Sequence, residues 1–460
     1  MIAHVPQLVL VIFASGAVAL RRTDDRAKAA RLAAALSAVA ATLLLGAAAI
    51  RLASDAPAPL GPEGDPLTLV LLGAATVALC ALSLGAPRAD IDGERLSRAF
   101  ALALAFGAAC LVDSTRLLAV VVALGAIPLL RRGRVAILPL MGSAAMAAGL
   151  FWLDRAGATD LPLVAQGHGA SIHGPIALVW AGAWARLGLL PFHGWLPVMF
   201  ERSHPAKAVL AVIANPAAIV LLRVGPSAAW SDGVVGGFLA AVAAATSLYG
   251  AFLCLGQRDL LRAVGWQAVA HAGFVVTGLV SRDPAGFAGA AAHIAASGVF
   301  LTGLTLVAWA VRARFGASPV GVAQRARHAS GAFLLFGLAA AGFPGTLGFV
   351  SEDLLLHGVI EHRPAVGAVL VAATALSAIG LLRLFFRVFL GPRAEPRRGS
   401  FAAEEIVPDL FPREKAGFGV LLVALFALGL APGPVLSAAE RSSAVTRWLS
   451  TPAAHPAAVR

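Results

Sequence analysis

Apolar runs long enough to cross a bilayer recur along almost the whole chain, and they constrain the fold more than any motif does. Each helical crossing of roughly 30 Å of hydrocarbon needs about 20 apolar residues, because every backbone N–H and C=O must be bonded inside the segment. About fourteen such runs can be drawn, with centres in 5–20, 29–50, 66–86, 97–112, 117–130, 135–153, 174–190, 206–222, 234–255, 263–280, 285–311, 331–357, 365–390 and 416–437. The composition agrees, since 59% of the 460 residues are hydrophobic and 13% charged, outside the range of soluble domains. The expected fold is an all-α polytopic membrane protein.

Positively charged residues in short loops mark the cytoplasmic side. Arg21, Arg22, Arg26 and Lys28 follow the first run, Arg131, Arg132 and Arg134 the fifth, Arg312, Arg314, Arg325 and Arg327 the eleventh, and Arg393, Arg397 and Arg398 the thirteenth. The opposite loops carry Asp154, Asp160, Asp232 and Glu361 instead. This alternation predicts an even helix count with both termini outside. No basic region precedes the first run, which is expected to be a retained helix rather than a signal peptide. The net charge of +12 is spread over many short loops, so it speaks for membrane orientation and against nucleic acid as a partner.

Several chemistries lack residues to carry them. Cys80, Cys110 and Cys254 fall in three separate runs without the spacing of a zinc or disulfide framework, and are expected to be buried structural thiols. Neither a P-loop nor a dinucleotide-binding glycine motif is present, so no cofactor is expected. His168 and His173 share one outer loop, too few ligands for a metal. The segment 437–450 has helical spacing with one apolar side, as a helix on the outer surface would.

Two places combine helix-breaking residues with charge inside an apolar run. In the first, Arg186 precedes Pro191, His193 and Pro197; in the second, AGFPGTLG with Pro344 and Gly345 is followed by Ser351, Glu352 and Asp353. Charges within the membrane are expensive and usually line a pathway, and broken helices in corresponding positions of two repeats point to an ion path. The chain accordingly divides into 1–112, N-terminal helices; 113–232 and 233–390, two comparable blocks; and 391–460, a loop, a last helix and an outer tail.

Three segments carry a family resemblance: PFHGWLP at 191–197, QRDLLRAVGWQAVAHAGF at 257–274 and GFPGTLGFVSEDLL at 342–355. They resemble the proton-translocating antiporter-like subunits of respiratory complex I and of multisubunit cation/proton antiporters, over about 112–390. The resemblance implies a fourteen-helix subunit with two inverted five-helix repeats, each with a broken helix, whose charged residues form a hydrated line across the midplane. It places Glu352, His271, His293, Arg186 and Arg262 on a proton path. Arg186 stands where the family usually has a lysine, and Glu352 where it has lysine or glutamate. His271 closes the counterpart of the family's Y-S-S-I-S-H run, here Trp266 to His271.

The chain also departs from the pattern. Ser297 replaces a lysine four residues after His293, the glutamate of the fifth helix is missing, with only Asp113 and Arg116 at its edge, and the turn after the first break is degraded to Ser203–Ala208. Arginine does not deprotonate in proteins, so Arg186 cannot hand on a proton and is left a role as a fixed field. His271, His293 and Glu352 remain titratable. The expectation is an asymmetric proton-translocating subunit of a larger complex, in which the second block conducts. Its partners would be other membrane subunits in the inner membrane of a bacterium. The alternatives are a cation/proton antiporter subunit, a two-component inorganic-carbon system whose soluble partner is a metalloprotein, and a non-conducting scaffold.

Overall fold

The computed structural model describes residues 4–53, 65–87, 90–129, 137–160, 172–224, 233–281, 283–317, 319–392 and 409–442. Among them, eighteen α-helices follow one another. The first six are α1 (Val5–Arg21), α2 (Arg26–Ala53), α3 (Pro66–Gly85), α4 (Gly93–Leu111), α5 (Thr115–Gly125) and α6 (Ile137–Arg155). Next come α7 (His173–Leu187), α8 (Trp195–Arg202), α9 (Pro205–Ile213), α10 (Pro216–Val224), α11 (Gly233–Leu255) and α12 (Leu260–Leu279). The last are α13 (Pro284–Phe315), α14 (Arg327–Ala340), α15 (Leu347–His362), α16 (Pro364–Val388), α17 (Pro412–Leu430) and α18 (Gly433–Glu440). An isolated bridge between Ser114 and Asp160 is the sole β pairing among the described residues.

Start signals explain where the helices begin. Asp65 and Asp283 stand directly before Pro66 and Pro284; their carboxylates accept from the N–H of Thr68 at 3.0 Å and of Ala285 at 2.7 Å. Proline in the first turn lacks an N–H that would have had no partner there, while the aspartate satisfies the next. Asp92 and Asp259 cap α4 and α12 in the same way, accepting from Arg95 N at 2.7 Å and Arg262 N at 2.8 Å.

The 32-residue α13 has no polar face, and its whole apolar window is buried in protein. A helix apolar all round needs neighbours all round, and α3, α9, α12, α14, α15 and α17 supply them. The backbones come close: a Cβ added at Gly289 of α13 would lie 2.4 Å from Leu355 N of α15. Such small-residue contacts let membrane helices approach where no hydrophobic drive separates protein from lipid. Outward-facing Val11, Met141, Phe238 and Val423 are exposed, as lipid-facing side chains are. This is a multi-pass membrane protein.

Among the described residues, seven stretches are long and apolar enough to cross a membrane, six single helices and the run 205–224 that holds α9 and α10, or up to nine if each of two bent pairs counts as one span. The fourteen runs read from sequence do not map onto fourteen such helices. The run 331–357 is two helices, α14 and α15, and 206–222 is also two, α9 and α10, divided at Ala214–Asn215. The short run 117–130 gives α5, only 11 residues long. The last run bends by 73° between α17 and α18; of the segment 437–450, residues 437–440 close α18 and 443–450 lie outside the described residues.

The basic segments after α1 and α13 come near each other through Asp90, whose Oδ2 accepts from Trp309 Nε1 at 2.7 Å. Gly93 packs against the carbonyls of Leu20 and Thr23 beside Arg21 and Arg22, and Arg312 pairs with Asp259 at 3.6 Å. Arg131, Arg132, Arg134, Arg393, Arg397, Arg398, Asp232 and His168 lie outside the described residues. Cys80, Cys110 and Cys254 are free and buried, as expected.

Candidate functional site

The second break forms because α14 cannot continue through Gly-Phe-Pro-Gly. Gly342 at φ 66° and Gly345 at φ 87° take left-handed conformations open mainly to glycine, and Pro344 between them has no N–H to donate. Thr346 restarts the helix, its Oγ1 accepting from Phe349 N at 3.3 Å. The restart sets Ser351 and Glu352 about one turn into α15, both buried. A Cβ at Gly342 would come within 2.7 Å of Glu352 Oε2, so the glycine makes room for the carboxylate as well as for the turn.

Three helices bring titratable groups together here. His271 Nδ1 of α12 lies 3.1 Å from His293 Nε2 of α13, and His293 Nδ1 lies 2.9 Å from Ser351 Oγ of α15. Ser351 Oγ donates to Gly348 O at 2.9 Å. With that hydroxyl proton committed, Ser351 accepts from His293 Nδ1–H; neutral His293 then presents a bare Nε2, which accepts from His271 Nδ1–H. His271 Nε2 is left without a partner, a basic nitrogen at the end of a donor chain. Glu352 Oε1 is 4.0 Å from His271 Nδ1, and its Oε2 accepts weakly from Thr374 Oγ1 at 3.4 Å. His271, His293 and Glu352 are 2%, 0% and 3% exposed.

A proton arriving at His271 Nε2 makes the ring an imidazolium. Its Nδ1 proton can then pass to His293 Nε2, or to Glu352 Oε1 after a small closure. The arrangement is thus competent for proton relay without any bound group. The donor atoms of these three residues all lie within 4.8 Å of one another, as do those of Asp283, Glu361 and His362, so either trio could approach a metal ion. The two histidines are already hydrogen-bonded to each other and need no ion between them.

The first break is built differently. α7 ends at Leu187 with Gly188 at φ 74°, and α7 and the stretch 192–202 diverge by 43°. Side chains satisfy the freed backbone. Trp184 Nε1 donates to Leu190 O at 2.7 Å, Trp195 Nε1 to Ala185 O at 3.1 Å, and Leu190 N to Thr246 Oγ1 at 3.2 Å. Pro191 opens the short turn Phe192–Gly194, Pro197 lies buried in the first turn of α8, and His193 meets Tyr249 edge-on at 5.1 Å. Arg186, one residue from the end of α7, is 1% exposed, and none of its three guanidinium nitrogens has a hydrogen-bond partner among the described residues.

Arg186 borders a cavity of about 40 Å³, measured as the space a water centre can occupy, which is also lined by Asn215, His271 and Ser297, although its guanidinium nitrogens themselves are closed off. That is room for about three waters. The cavity therefore joins the charge of the first break to the His271 end of the second. Arg262 is not part of it. It lies near the start of α12, half-exposed, 3.4 Å from Glu201, and Glu201 O accepts from Arg312 at 3.2 Å.

Four contributors had no structural role assigned from sequence. Asn215 breaks the helix between α9 and α10: its Nδ2 donates to Arg186 O at 3.2 Å and its Oδ1 accepts from Ala217 N at 3.1 Å. The Asn-Pro pair at 215–216 was the available signal. Ser351 and Thr374 had none beyond polarity. Asp113, read as an edge charge, pairs with buried Arg223, which also donates to Val112 O at 2.6 Å.

With this geometry in hand, comparison with known proteins gives one answer. The family model described as "NADH:quinone oxidoreductase/Mrp antiporter, TM" matches residues 134–377, just over half of the chain. The chain belongs to this family. Within it, NADH-quinone oxidoreductase subunit M of Mycobacterium tuberculosis is 31% identical over 260 residues, 54% of this chain and 45% of that protein. Subunit N of Desulforudis audaxviator is 32% identical over 273 residues, 55% and 54%. The chain thus spans about half the length of the curated relatives it matches. Among solved structures, a chain of respiratory complex I from Thermus thermophilus with bound NADH superposes with a TM-score of 0.80 at 21% identity, covering 97% of this chain and all of that one. A chain of the Mrp complex from a Dietzia species reaches 0.76 at 17% identity, covering 98% and 99%. At these identities the likeness is one of fold.

Proposed function

We propose that this chain is a proton-translocating membrane subunit of a multisubunit complex, with its working relay in the second block. One observation carries the reading: His271, His293 and Glu352 converge from three helices at a helix break, in a hydrogen-bonded array that can accept a proton and pass it on. Arg186 supplies a fixed positive field to the cavity that ends at His271, and Arg262 acts at the surface end of α12. Division at 113–232 and 233–390 into two inverted five-helix repeats, fourteen crossings in all, accommodates both breaks as counterparts. The nearness of the basic segments after α1 and α13 supports their end as cytoplasmic, with both termini outside the inner membrane of a bacterium.

Neutralising the carboxylate tests the relay. Proton flux into proteoliposomes holding the complex should fall about a hundredfold or more in Glu352→Gln, the scale of losing a positioned acid–base group; unchanged flux would refute the proposal. A wild type that carries no flux in any assembly would instead mark a scaffold.

The arginine at 186 favours keeping a second partner in view, a soluble metalloprotein fed by a proton-conducting subunit, or a cation/proton antiporter assembly. Mild-detergent purification from the native membrane separates these readings. Quinone-reducing subunits support the first, and one soluble metalloprotein the second.

A further inference from the structure

The outward side of α15 carries a row of ionisable side chains. Asp353, His357 and Glu361 follow one another at intervals of four, which stacks them along one face of a helix, and all three are exposed. Among the described residues, no hydrogen bond or ion pair joins any of them to another group. The outward side of α11 is different: that helix contains no Asp, Glu, His, Lys or Arg at all, as a face turned to lipid should.

The register between α15 and α16 fixes the depth of the row. Thr374 Oγ1 lies 3.4 Å from Glu352 Oε2, and a Cβ added at Gly367 would come within 2.3 Å of Ile360 Cγ1, so the two helices run antiparallel from the turn at Arg363. Thr374 stands ten residues past Pro364, the start of α16, which is roughly 15 Å along that helix. Half the thickness of a hydrocarbon core is also about 15 Å. Asp353, next to Glu352 in the chain, is therefore an exposed carboxyl near the middle of the membrane. Its side chain is too short to snorkel to the interface as Lys and Arg do, and lipid offers it neither counter-charge nor hydrogen bond.

Whatever covers this face must bring a cation to mid-depth. A second copy of the chain has none to offer among the described residues, because every exposed lysine or arginine there lies between helices or within six residues of a helix end. Exposed Phe349 and Ile360 stand on the same side of α15 as Asp353, supplying the apolar surround that keeps a buried contact dry.

We infer that the face of α15 formed by Phe349, Asp353, His357, Ile360 and Glu361 is a subunit interface. Its partner is a different membrane subunit whose docking helix carries a lysine or arginine at mid-membrane depth against Asp353. His357 and Glu361 extend the polar contact toward the outer surface. The inference rests on the reading of the chain as one subunit of a complex, and it is independent of the relay.

The test uses the assembled complex in its native membrane, with Ile360 replaced by p-benzoylphenylalanine. Photolysis should attach position 360 to a transmembrane segment of another protein, and mass spectrometry of the joined peptides should find a lysine or arginine near the middle of that segment. Asp353→Lys should then lower recovery of that protein with the chain at least about tenfold, since like charges would meet across the interface. Exchanging the partner's cation for aspartate should restore it.

Adducts at position 360 with lipid alone, with a second copy of this chain, or with a segment lacking a cation would each overturn the inference, as would unaltered recovery in Asp353→Lys. If that variant fails to accumulate, the adduct at position 360 decides alone. Partners that co-purify in mild detergent but never join position 360 remove this interface and leave the multisubunit reading standing; no partner in either experiment removes both.

Discussion

The two broken helices use similar punctuation to opposite ends. Around 188–194 two indoles and a hydroxyl meet freed backbone groups, and the charge beside the break, Arg186, has no side-chain hydrogen bond among the described residues and no proton to give. Around 341–346 the break is followed, about one turn into α15, by Glu352 and by Ser351, the end of the Ser351–His293–His271 chain. Breaking a helix inside a membrane therefore creates a place for polar chemistry without deciding which chemistry. The residue within one turn of the break decides it.

The sharpest contrast should come from substituting one group on each side. His271→Gln removes the nitrogen that receives the proton and should reduce flux about a hundredfold, whereas Arg186→Gln should change it only severalfold, by removing a field rather than a relay group. Equal losses in a proteoliposome assay would break the asymmetry.

Next in size is Gly342→Ala, which forces a side chain into a left-handed conformation and against Glu352 Oε2. A cost of about 1–3 kcal/mol should appear as a lower thermal midpoint together with lost flux. An unshifted midpoint would mean that the turn has another way to close.

Asn215→Ala acts on the first break, leaving Arg186 O and Ala217 N short of a partner. It should destabilise by about 1–3 kcal/mol and leave flux largely intact, which flux and unfolding measured on one preparation would check.

The smallest effect lies at the membrane edge. His204 stands just before α9, contacts Asp90 O at 3.1 Å and meets Trp309 edge-on, and burial first of all lowers its pKa below the ordinary 6.5, with the Asp90 carbonyl opposing. Above that ordinary value both folded and unfolded chains hold it neutral. As pH falls below it, the unfolded chain protonates first, so stability declines by up to about 1.4 kcal/mol per unit until the folded ring also protonates. His204→Gln should flatten this part of a midpoint-against-pH curve, and an unaltered slope would assign it elsewhere.

Much of this could be read from residues in line. Pro, Gly and a lone charge inside an apolar run are one-dimensional signals, and they located both breaks; the histidines that the structure gathers beside Glu352 came from the family resemblance. Partnerships across the chain are not one-dimensional. The Asp113–Arg223 pair spans 110 residues, and the cavity is shaped by α7, α10, α12 and α13 at once. Helix boundaries blur for a related reason: hydropathy sums over a window and passes through a break such as Asn215, where backbone geometry divides α9 from α10.

The burial of α13 has a consequence for how the protein meets its surroundings. At about 1.5 Å per residue, its 32 residues form a rod of roughly 48 Å sheathed by other helices, so it touches little lipid along its apolar length. Membranes that differ in thickness or composition act on α2, α11 and α16, the lipid-facing staves. His293, carried on the rod, feels such a change only after neighbouring helices have shifted.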